Sequence, residues 1–398
     1  MPETSAALSP DHLPVQLPAG TPKIDRRWTR TIARWFSANA RSLPWRTTPR
    51  DPWLSLMSEI MLQQTQAKRV AERFDAFAGR FPTPAAMARA SVDDVLAMWS
   101  GLGYYRRARL LHACACDIVH RYEGAVPQNS EDLRTLPGVG RYTAGAVASI
   151  AFGRPEPIVD GNVSRVLLRV HGVRQPPDGP GVQAWAWQRA TDLARAAGGD
   201  VARTNEGLME LGATVCTPAA PACGDCPMRT DCVAFQERAI GDIPAPKTRA
   251  VKKPLAISAL VITDQRGRIL LEQRPPSGLW GGLWQPPNLE RPGVRHASLP
   301  RTTSELGLDG LIEATAKPAG FGLATTHRDV RVRVWTAKAT DARLALAARP
   351  RGARWVYLAD LASLGLGAAQ HRMLHAGGLA RGRPRTGVSR RTPTQKNS

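Results

Sequence analysis

The fold of this 398-residue chain is decided by the stretch Leu136-Pro137-Gly138-Val139-Gly140-Arg141-Tyr142-Thr143-Ala144-Gly145. Its glycines predict that a short helix ends near Gly138 and that a new helix begins near Tyr142. Gly138 and Gly140 allow positive φ and a close approach of the backbone to a ligand. The first N–H groups of the new helix then point outward, an arrangement that suits phosphate. A glycine-rich turn that binds nothing is the alternative interpretation.

Two acidic residues flank this stretch in opposite surroundings. Glu59 interrupts an apolar run that begins at Trp53, so burial should raise the pKa of its carboxyl group. Asp160 precedes a predicted helix at residues 163–170, whose N-terminal dipole should keep it ionised. Two carboxyl groups with well-separated pKa values are typical of an active site in which one group donates a proton and the other stabilises positive charge. The plain alternatives are an arginine partner for Glu59 and a simple N-cap for Asp160.

The glycine-rich stretch and the two acids together resemble the endonuclease III superfamily of helix-hairpin-helix DNA repair glycosylases. The resemblance implies hydrolysis of an N-glycosidic bond, with Glu59 protonating the leaving base and Asp160 stabilising the sugar oxocarbenium. It also implies an active-site role for Asn162. At the position of Tyr142, the relatives that cut the DNA strand carry a lysine that forms a Schiff base. Because Tyr142 has no amine, we predict base removal without strand cleavage.

The residues expected to contact DNA lie in two further segments. A target base must leave the duplex stack to be reached, and the resemblance assigns Gln64 and Tyr104 to the space that it vacates. Gln63 and Thr65 belong to the same polar end of the Glu59 helix, whose amides suit the reading of base edges. The turn at residues 100–107 adds arginines and aromatic rings that suit phosphate contact and stacking. Glu206 matches a position on the adenine side of the site.

Four of the six cysteines are clustered, and they are Cys216, Cys223, Cys226 and Cys232. Four thiolates this close in sequence can bind one inorganic centre, and zinc is one candidate. Their spacing is similar to that of the [4Fe–4S] loop of the superfamily, a cluster that takes four thiolates. The resemblance therefore implies a [4Fe–4S] cluster in a loop at residues 216–232, with a structural role.

A second domain follows a proline- and lysine-rich linker at residues 241–254, where the pattern changes to strands. The segment at residues 275–287 resembles the Nudix-like C-terminal domain of the MutY adenine DNA glycosylases. A true Nudix hydrolase needs a helix dense in glutamates to bind Mg²⁺, whereas residues 293–310 offer only Glu305 and Asp309. The resemblance therefore implies a recognition domain rather than a hydrolase.

The loop that should read 8-oxoguanine in such a domain corresponds to residues 324–328. The family usually carries Phe-Ser-His in this loop, and the chain carries Thr325, Thr326 and His327 instead. Thr326 keeps a hydroxyl donor and His327 keeps the imidazole, so both are predicted to contact the lesion. Thr325 departs from the family pattern because it is not aromatic.

The charge of the chain favours a polyanionic partner. Its 54 Lys+Arg and 33 Asp+Glu give a formal net charge of +21, which favours binding to nucleic acid. No signal-peptide pattern or bilayer-length apolar run is visible. We therefore expect a cytoplasmic, nucleoid-associated monomer that binds double-stranded DNA with an adenine mispair and no membrane.

The predicted fold class is a mainly α N-terminal helix-hairpin-helix glycosylase with an iron–sulfur loop, plus an α+β Nudix-like C-terminal domain. The expected boundaries are a disordered tail at 1–24, a glycosylase domain at 25–240, the Nudix-like domain at 255–375 and a basic disordered tail at 376–398. The predicted activity is removal of adenine paired with 8-oxoguanine or guanine. The alternatives are a thymine/uracil mismatch glycosylase, a noncatalytic DNA-damage binder or cluster-based redox sensor, and a nucleotide pyrophosphatase.

Overall fold

Helices make up the first part of the chain, as the spacing of its apolar residues predicts. The computed structural model describes residues 15, 17, 21–246, 251–315, 317–340 and 352–379, which divide into two units after residue 249. The α-helices described in the first unit are α1 (Arg26–Asn39), α2 (Pro52–Leu62), α3 (Ala67–Arg80), α4 (Pro84–Ala88), α5 (Val92–Met98), α6 (Arg106–Tyr122), α7 (Ser130–Thr135), α8 (Arg141–Phe152), α9 (Gly161–His171), α10 (Val182–Ala197), α11 (Val201–Thr214) and α12 (Val233–Gln236).

The glycine-rich stretch forms the predicted turn between α7 and α8, and α8 begins at Arg141. Gly138 adopts a φ of 81°. A Cβ atom there would lie 2.9 Å from the Cβ of Leu110, so both conformation and space require glycine. Gly140 does not use the positive φ that glycine allows; it is the N-cap of α8 with φ −88° and ψ 178°. Extended backbone is what an N-cap requires.

A close approach at Gly145 places α8 against the chain that leads to Asp160. A Cβ atom on Gly145 would lie 2.2 Å from the carbonyl oxygen of Pro157. On the other side, a Cβ atom on Gly212 of α11 would lie 2.7 Å from the Cβ of Asn162. The segment from Pro157 to Asn162, which contains Asp160, is therefore packed against α8 at one end and α11 at the other, at positions where a larger residue would not fit.

The ends and the linker of the first unit depart from the expected boundaries. Val15 falls within the predicted tail at 1–24, yet it is buried in the core cluster with Trp28 and Ile32. Ile243 falls within the predicted linker, yet it is 1% exposed and its carbonyl accepts from Arg169 Nε at 2.8 Å. The apolar side chains of Val15 and Ile243 pack into the helical core, although the segments around them are polar. Residues 1–14, 16, 18–20 and 247–250 lie outside the described residues.

Strands dominate the second unit and form one sheet. The described strands are β1 (Lys253–Thr263), β2 (Ile269–Gln273), β3 (Trp284–Gln285), β4 (Asn288–Pro292), β5 (Ile312–Ala314), β6 (Ala319–Ala324), β7 (Arg328–Ala339) and β8 (Ala353–Val356). Their order is β3-β2-β1-β7-β5, with β4 also paired to β1, β6 to β7 and β8 to β2. The central strands β1 and β7 run parallel, and both are rich in β-branched residues that suit a buried strand.

Two helices accompany the sheet in the second unit, α13 (Leu299–Glu305) and α14 (Ala368–Ala376). Met373 and Leu374 of α14 pack on one face of the sheet. Leu299 of α13 packs on the other face, against Trp335 and Ala337. These helices and strands confirm the predicted α+β class of this domain and the predicted fold of the chain. Of the basic tail expected at 376–398, residues 380–398 lie outside the described residues.

Among the helices that the structure describes, none combines the length and the apolar character that crossing a membrane requires.

Candidate active site

Several predicted site residues of the first unit surround one cavity of about 790 Å³. α2, α8, α11 and the start of α9 contribute its walls. The predicted residues that line it are Glu59, Gln63, Gln64, Thr65, Tyr142, Asp160, Asn162 and Glu206. Tyr104, Gly138 and Gly140 do not line this cavity, and Thr326 and His327 belong to the second unit. The fold thus brings together acids that lie about a hundred residues apart in sequence.

Glu59 is a buried acid on α2. Burial raises the pKa of its carboxyl group to about 7, and the carboxylates of Asp160 and Glu206 act in the same direction. A hydrogen bond from Tyr142 and the charge of Arg46 oppose the rise without cancelling it. The direction agrees with the sequence prediction. A carboxyl group that stays protonated near neutral pH is suited to donate a proton.

The alternative interpretation of Glu59 required an arginine partner. Arg46 is the arginine whose charge acts on this carboxyl group. Its guanidinium instead bonds Glu206 at 3.1 Å and Glu210 at 2.9 Å. Arg50 bonds both carboxylate oxygens of Glu206, at 2.8 and 2.7 Å. The guanidinium groups of Arg46 and Arg50 therefore fix Glu206 at the cavity wall. The sequence prediction missed these arginines, although two acids one helical turn apart in α11 required cationic partners.

Asp160 is both an N-cap and a wall residue of the cavity. Its Oδ1 accepts from the backbone N–H of Val163 at 2.7 Å, and its Oδ2 accepts from Asn162 Nδ2 at 3.2 Å. Burial raises the pKa of Asp160, although these hydrogen bonds and the charge of Arg165 act in the opposite direction. The helix terminus acts in the predicted direction, but burial outweighs it, so the pKa of Asp160 lies above its ordinary value; the ionised state of Asp160 stays a prediction.

Tyr142 lines the same cavity as the two acids. Its hydroxyl hydrogen-bonds Glu59 and is 2.9 Å from the Sδ of Met209. Burial and the nearby carboxylates of Glu59 and Asp160 hold the pKa of Tyr142 well above its usual value. The hydroxyl therefore stays neutral and serves as a donor beside the acids.

The two residues predicted to fill the space left by the extruded base both have strained backbone conformations. Gln64 has a φ of 56° and Tyr104 a φ of 48°, a region that non-glycine residues seldom adopt. Such strain clusters at functional sites, where the surrounding structure holds it in place. Tyr104 is 48% exposed.

Arg107 holds both strained segments together. Its guanidinium donates to the carbonyl oxygens of Met61 at 2.7 Å and Gly103 at 3.1 Å, and to Thr65 Oγ1 at 2.8 Å. The side chain is buried, and burial lowers the pKa of Arg107 to about 10. The prediction of phosphate contact is therefore wrong for Arg107, because its donors already serve buried carbonyls. Gln63 Nε2 in turn lies 3.4 Å from the carbonyl oxygen of Gly138.

The four clustered cysteines line one small cavity, which also receives Arg169 and Arg229. Arg169 Nη1 donates to the Sγ of Cys216 at 3.4 Å and to the carbonyl oxygen of Thr217 at 2.7 Å. Four sulfur donors with a buried cation beside them suit an anionic iron–sulfur thiolate centre. In the described part of the chain, no group of three or more His, Cys, Asp or Glu is arranged to hold a single metal ion.

Arg165 connects the cysteine loop to the acid on α9. It donates from Nε to the carbonyl oxygen of Cys216 at 2.8 Å and from Nη2 to Asn162 Oδ1 at 2.9 Å. Asn162 in turn donates to Asp160. The sequence prediction missed Arg165, although its position one turn into the helix that Asp160 caps was visible.

The turn between β6 and β7 in the second unit carries the predicted lesion-reading residues. Thr325 closes this turn, since its Oγ1 accepts from Arg328 N at 3.0 Å and its own N–H donates to Arg328 O at 2.8 Å. Thr326 and His327 are exposed at its tip. Threonine at 325 is therefore accounted for by the hydrogen bonds of the turn. In α13, Glu305 pairs with Arg291 and Arg301.

The comparisons with known proteins agree with this arrangement. A family model described as HhH-GPD superfamily base excision DNA repair protein matches residues 57–189, and a NUDIX domain model matches residues 258–376. The fold and the site thus define a helix-hairpin-helix base-excision repair protein with a Nudix-like domain. The chain belongs to the adenine DNA glycosylase family. The adenine DNA glycosylase of Buchnera aphidicola is 32% identical over 269 residues, which cover 66% of this chain and 75% of that protein.

Other relatives are covered less completely. The human adenine DNA glycosylase is 36% identical over 314 residues, which cover 65% of this chain and 57% of that protein. The Mycobacterium tuberculosis adenine DNA glycosylase is 47% identical over 199 residues, which cover 50% of this chain and 64% of that protein. The matched region thus spans less than two thirds of the length of these two relatives.

Proposed function

We propose that this chain is a monofunctional DNA glycosylase that removes adenine paired with 8-oxoguanine, or with guanine, from duplex DNA. The observation that carries the proposal is the pair Glu59 and Asp160 on one cavity, with Tyr142 hydrogen-bonded to Glu59. The Nudix-like unit with Thr326 and His327 at an exposed turn supports reading of the opposite base. The enzyme is proposed to act as a cytoplasmic monomer on chromosomal DNA in the nucleoid.

In the proposed mechanism, Glu59 donates a proton to N7 of the extruded adenine. The bond between N9 and C1′ then breaks, and both of its electrons leave with the base. The Asp160 carboxylate stabilises the positive charge that develops on the sugar. Water adds to C1′ and loses a proton to the Glu59 carboxylate, which restores the acid. The products are adenine and an abasic site in an intact strand.

The test is a single-turnover assay on a duplex with one 8-oxoguanine·adenine pair, with and without alkali afterwards. We expect the adenine strand to be cut only after alkali, because Tyr142 supplies no amine for a Schiff base. Cleavage without alkali would contradict the monofunctional assignment. A second duplex carries a guanine·thymine pair, and activity confined to that duplex would establish the thymine glycosylase alternative instead.

The proposed roles predict a bell-shaped dependence of the single-turnover rate on pH. Glu59 has to be protonated, so the rate should fall about tenfold per pH unit above a pKa of about 7. Asp160 has to be ionised, so the rate should also fall at low pH, and the raised pKa of Asp160 moves this limb upward. A rate that stayed constant from neutral to alkaline pH would remove Glu59 as the proton donor.

We further propose that Cys216, Cys223, Cys226 and Cys232 hold a [4Fe–4S] cluster. When bound, the cluster ties the loop at residues 216–232 into one rigid piece. Chemical analysis of the purified chain should give about four iron and four sulfide per protein. The C226S variant should lose most of both, whereas C114S, which removes a buried cysteine outside the loop, should retain them. Stoichiometric zinc without sulfide would overturn the cluster.

A further inference from the structure

A basic groove of about 490 Å³ lies in the second unit along β6 and β7. The term basic groove refers here to the space bounded by His296, Gly320, Gly322, Arg331 and Arg333. It is separate from the Thr325–His327 turn, which lies at the end of the same hairpin. Neither the sequence prediction nor the proposed chemistry uses this groove.

The strand register places both arginines on one face of the sheet. Arg331 pairs with Gly322 of β6, and Arg333 pairs with Gly320. On the other side, β1 presents Ala256 and Ser258 opposite the same two arginines. Directly paired residues point to the same face, so small residues flank both arginines. The result is exposed backbone at Gly320 and Gly322 beside two long cationic side chains, with Ala256 and Ser258 buried on the β1 side.

The groove has no carboxylate within salt-bridge distance of Arg331 or Arg333 among the described residues. His296 adds a third nitrogen-bearing group, and its Nδ1 is 3.1 Å from the carbonyl oxygen of Ile257. His296, Arg331 and Arg333 line the same groove, and burial together with the charges of Arg333 and Arg331 lowers the pKa of His296. Asp329 shares the face of Arg331 and lies two residues nearer the turn.

Glu305 and Asp329 form no salt bridge with Arg331 or Arg333. Glu305 pairs with Arg291 and Arg301 instead, whereas the carboxylate of Asp329 reduces the positive charge only at the turn end of the groove. Phe321, the aromatic residue of β6, packs on the opposite face of the sheet, under the guanidinium of Arg372. The groove therefore offers positive charge and backbone but no free ring on which a nucleobase could stack.

We propose that the basic groove binds the phosphodiester backbone of the DNA on which the enzyme acts. Arginines two residues apart on a strand are separated by about 7 Å, so they can contact successive phosphates of an extended strand. An enclosed pocket would be expected for a small anion, since small-molecule sites bury most of their ligand. Gly320, Gly322 and Arg331 are instead exposed. The proposal rests on the proposed function, because it takes duplex DNA as the substrate.

The test measures how salt changes the affinity of the full chain for duplex DNA. The duplex carries 8-oxoguanine opposite a 2′-fluoro adenosine, whose fluorine destabilises the sugar cation and prevents base loss. Each phosphate contact contributes about 0.9 to the slope of log K against log salt. The R331A/R333A variant should therefore lower the magnitude of the slope by about 2. Between about 50 and 200 mM salt, its affinity should fall about 12-fold less than that of the wild type.

Two matched variants make the result specific. K338A/R266A removes two exposed charges of the same unit outside the groove, and it should leave the slope unchanged. R331K/R333K keeps both charges and should restore most of the slope even if the alanine variant is poorly folded. An unchanged slope in R331A/R333A, or an equal change in K338A/R266A, would overturn the proposal.

Two further measurements distinguish DNA binding in the groove from binding of a small polyphosphate, and failure of the groove proposal from failure of the proposed function. Inorganic pyrophosphate at matched ionic strength should weaken DNA binding equally in the wild type and in R331A/R333A. Stronger competition in the wild type alone would mean that the groove takes a small polyphosphate, which overturns the assignment to DNA. Adenine release from an ordinary duplex is measured separately on the wild type. Absence of adenine release would overturn the proposed function. The salt slopes would still show whether the groove binds the DNA backbone.

Discussion

The E59Q variant is expected to lose adenine removal almost completely. Glutamine keeps the size of the side chain and its place on α2 but has no proton of suitable acidity. General acid catalysis contributes about 10²–10⁴-fold, so the single-turnover rate on the 8-oxoguanine·adenine duplex should fall by a factor in that range. Affinity for the duplex should change little, because the substitution removes no cation. Retained DNA binding would show that the loss lies in the chemical step.

The same variant should be more stable than the wild type at alkaline pH. Glu59 is 8% exposed, and burial raises the pKa of Glu59 to about 7 from an ordinary value of 4.5. A raised folded-state pKa contributes stability that is present below pH 4.5 and is lost as the pH rises through about 7. At high pH the free energy of unfolding of the wild type is lower by about 3 kcal/mol for this reason. E59Q has no carboxyl group at this position, so its stability lacks this pH dependence. Denaturant unfolding at acidic and alkaline pH measures the difference.

The matched control is E72Q, which makes the same change at an exposed position of α3. It should alter neither the rate nor the pH dependence of stability. Undiminished repair activity of E59Q would instead support the noncatalytic DNA-damage binder or redox sensor. Such a result would leave the family fold in place and remove the proposed chemistry.

The D160N variant is expected to lose about 10²–10³-fold in the single-turnover rate. The carboxylate stabilises positive charge on the sugar, and removal of a preorganised group of this kind costs about 10²–10³-fold. Asparagine caps a helix as well as aspartate does. Its Oδ1 can still accept from Val163 N, as Asp160 does at 2.7 Å. The loss of rate should therefore occur with little change in the free energy of unfolding.

The control for D160N is D25N, since Asp25 caps α1 and accepts from Arg27 N at 2.8 Å and Trp28 N at 3.1 Å. Asp25 does not line the cavity. D25N should keep the full rate. A large loss of stability in D160N, with a loss of rate that merely follows the unfolded fraction, would show that Asp160 acts only as a cap.

Much of this protein was predictable because its signals are local. A helix break at Gly138 and a helix start near Tyr142 depend on backbone preferences within a few residues, and both lie where the sequence predicts them. The raised pKa of Glu59 follows from one acid in an apolar helix, since burial is the dominant cause. The change from helical to strand patterning likewise identified two domains of different class. The site roles of Gln63, Gln64, Tyr104, Thr326 and His327 stay predictions.

Tertiary structure decided what depends on approach between distant segments. The pairing of Arg50 with Glu206 joins residues 156 positions apart in the chain, and no local pattern specifies it. Arg107 looks like a surface cation in sequence, yet the fold buries it among carbonyl oxygens. The pKa of Asp160 rises because its burial exceeds the effect of the donors that its own helix supplies. Such balances are sums of opposing terms over many neighbours, so the sequence determined which groups are present and the packing determined how each one behaves.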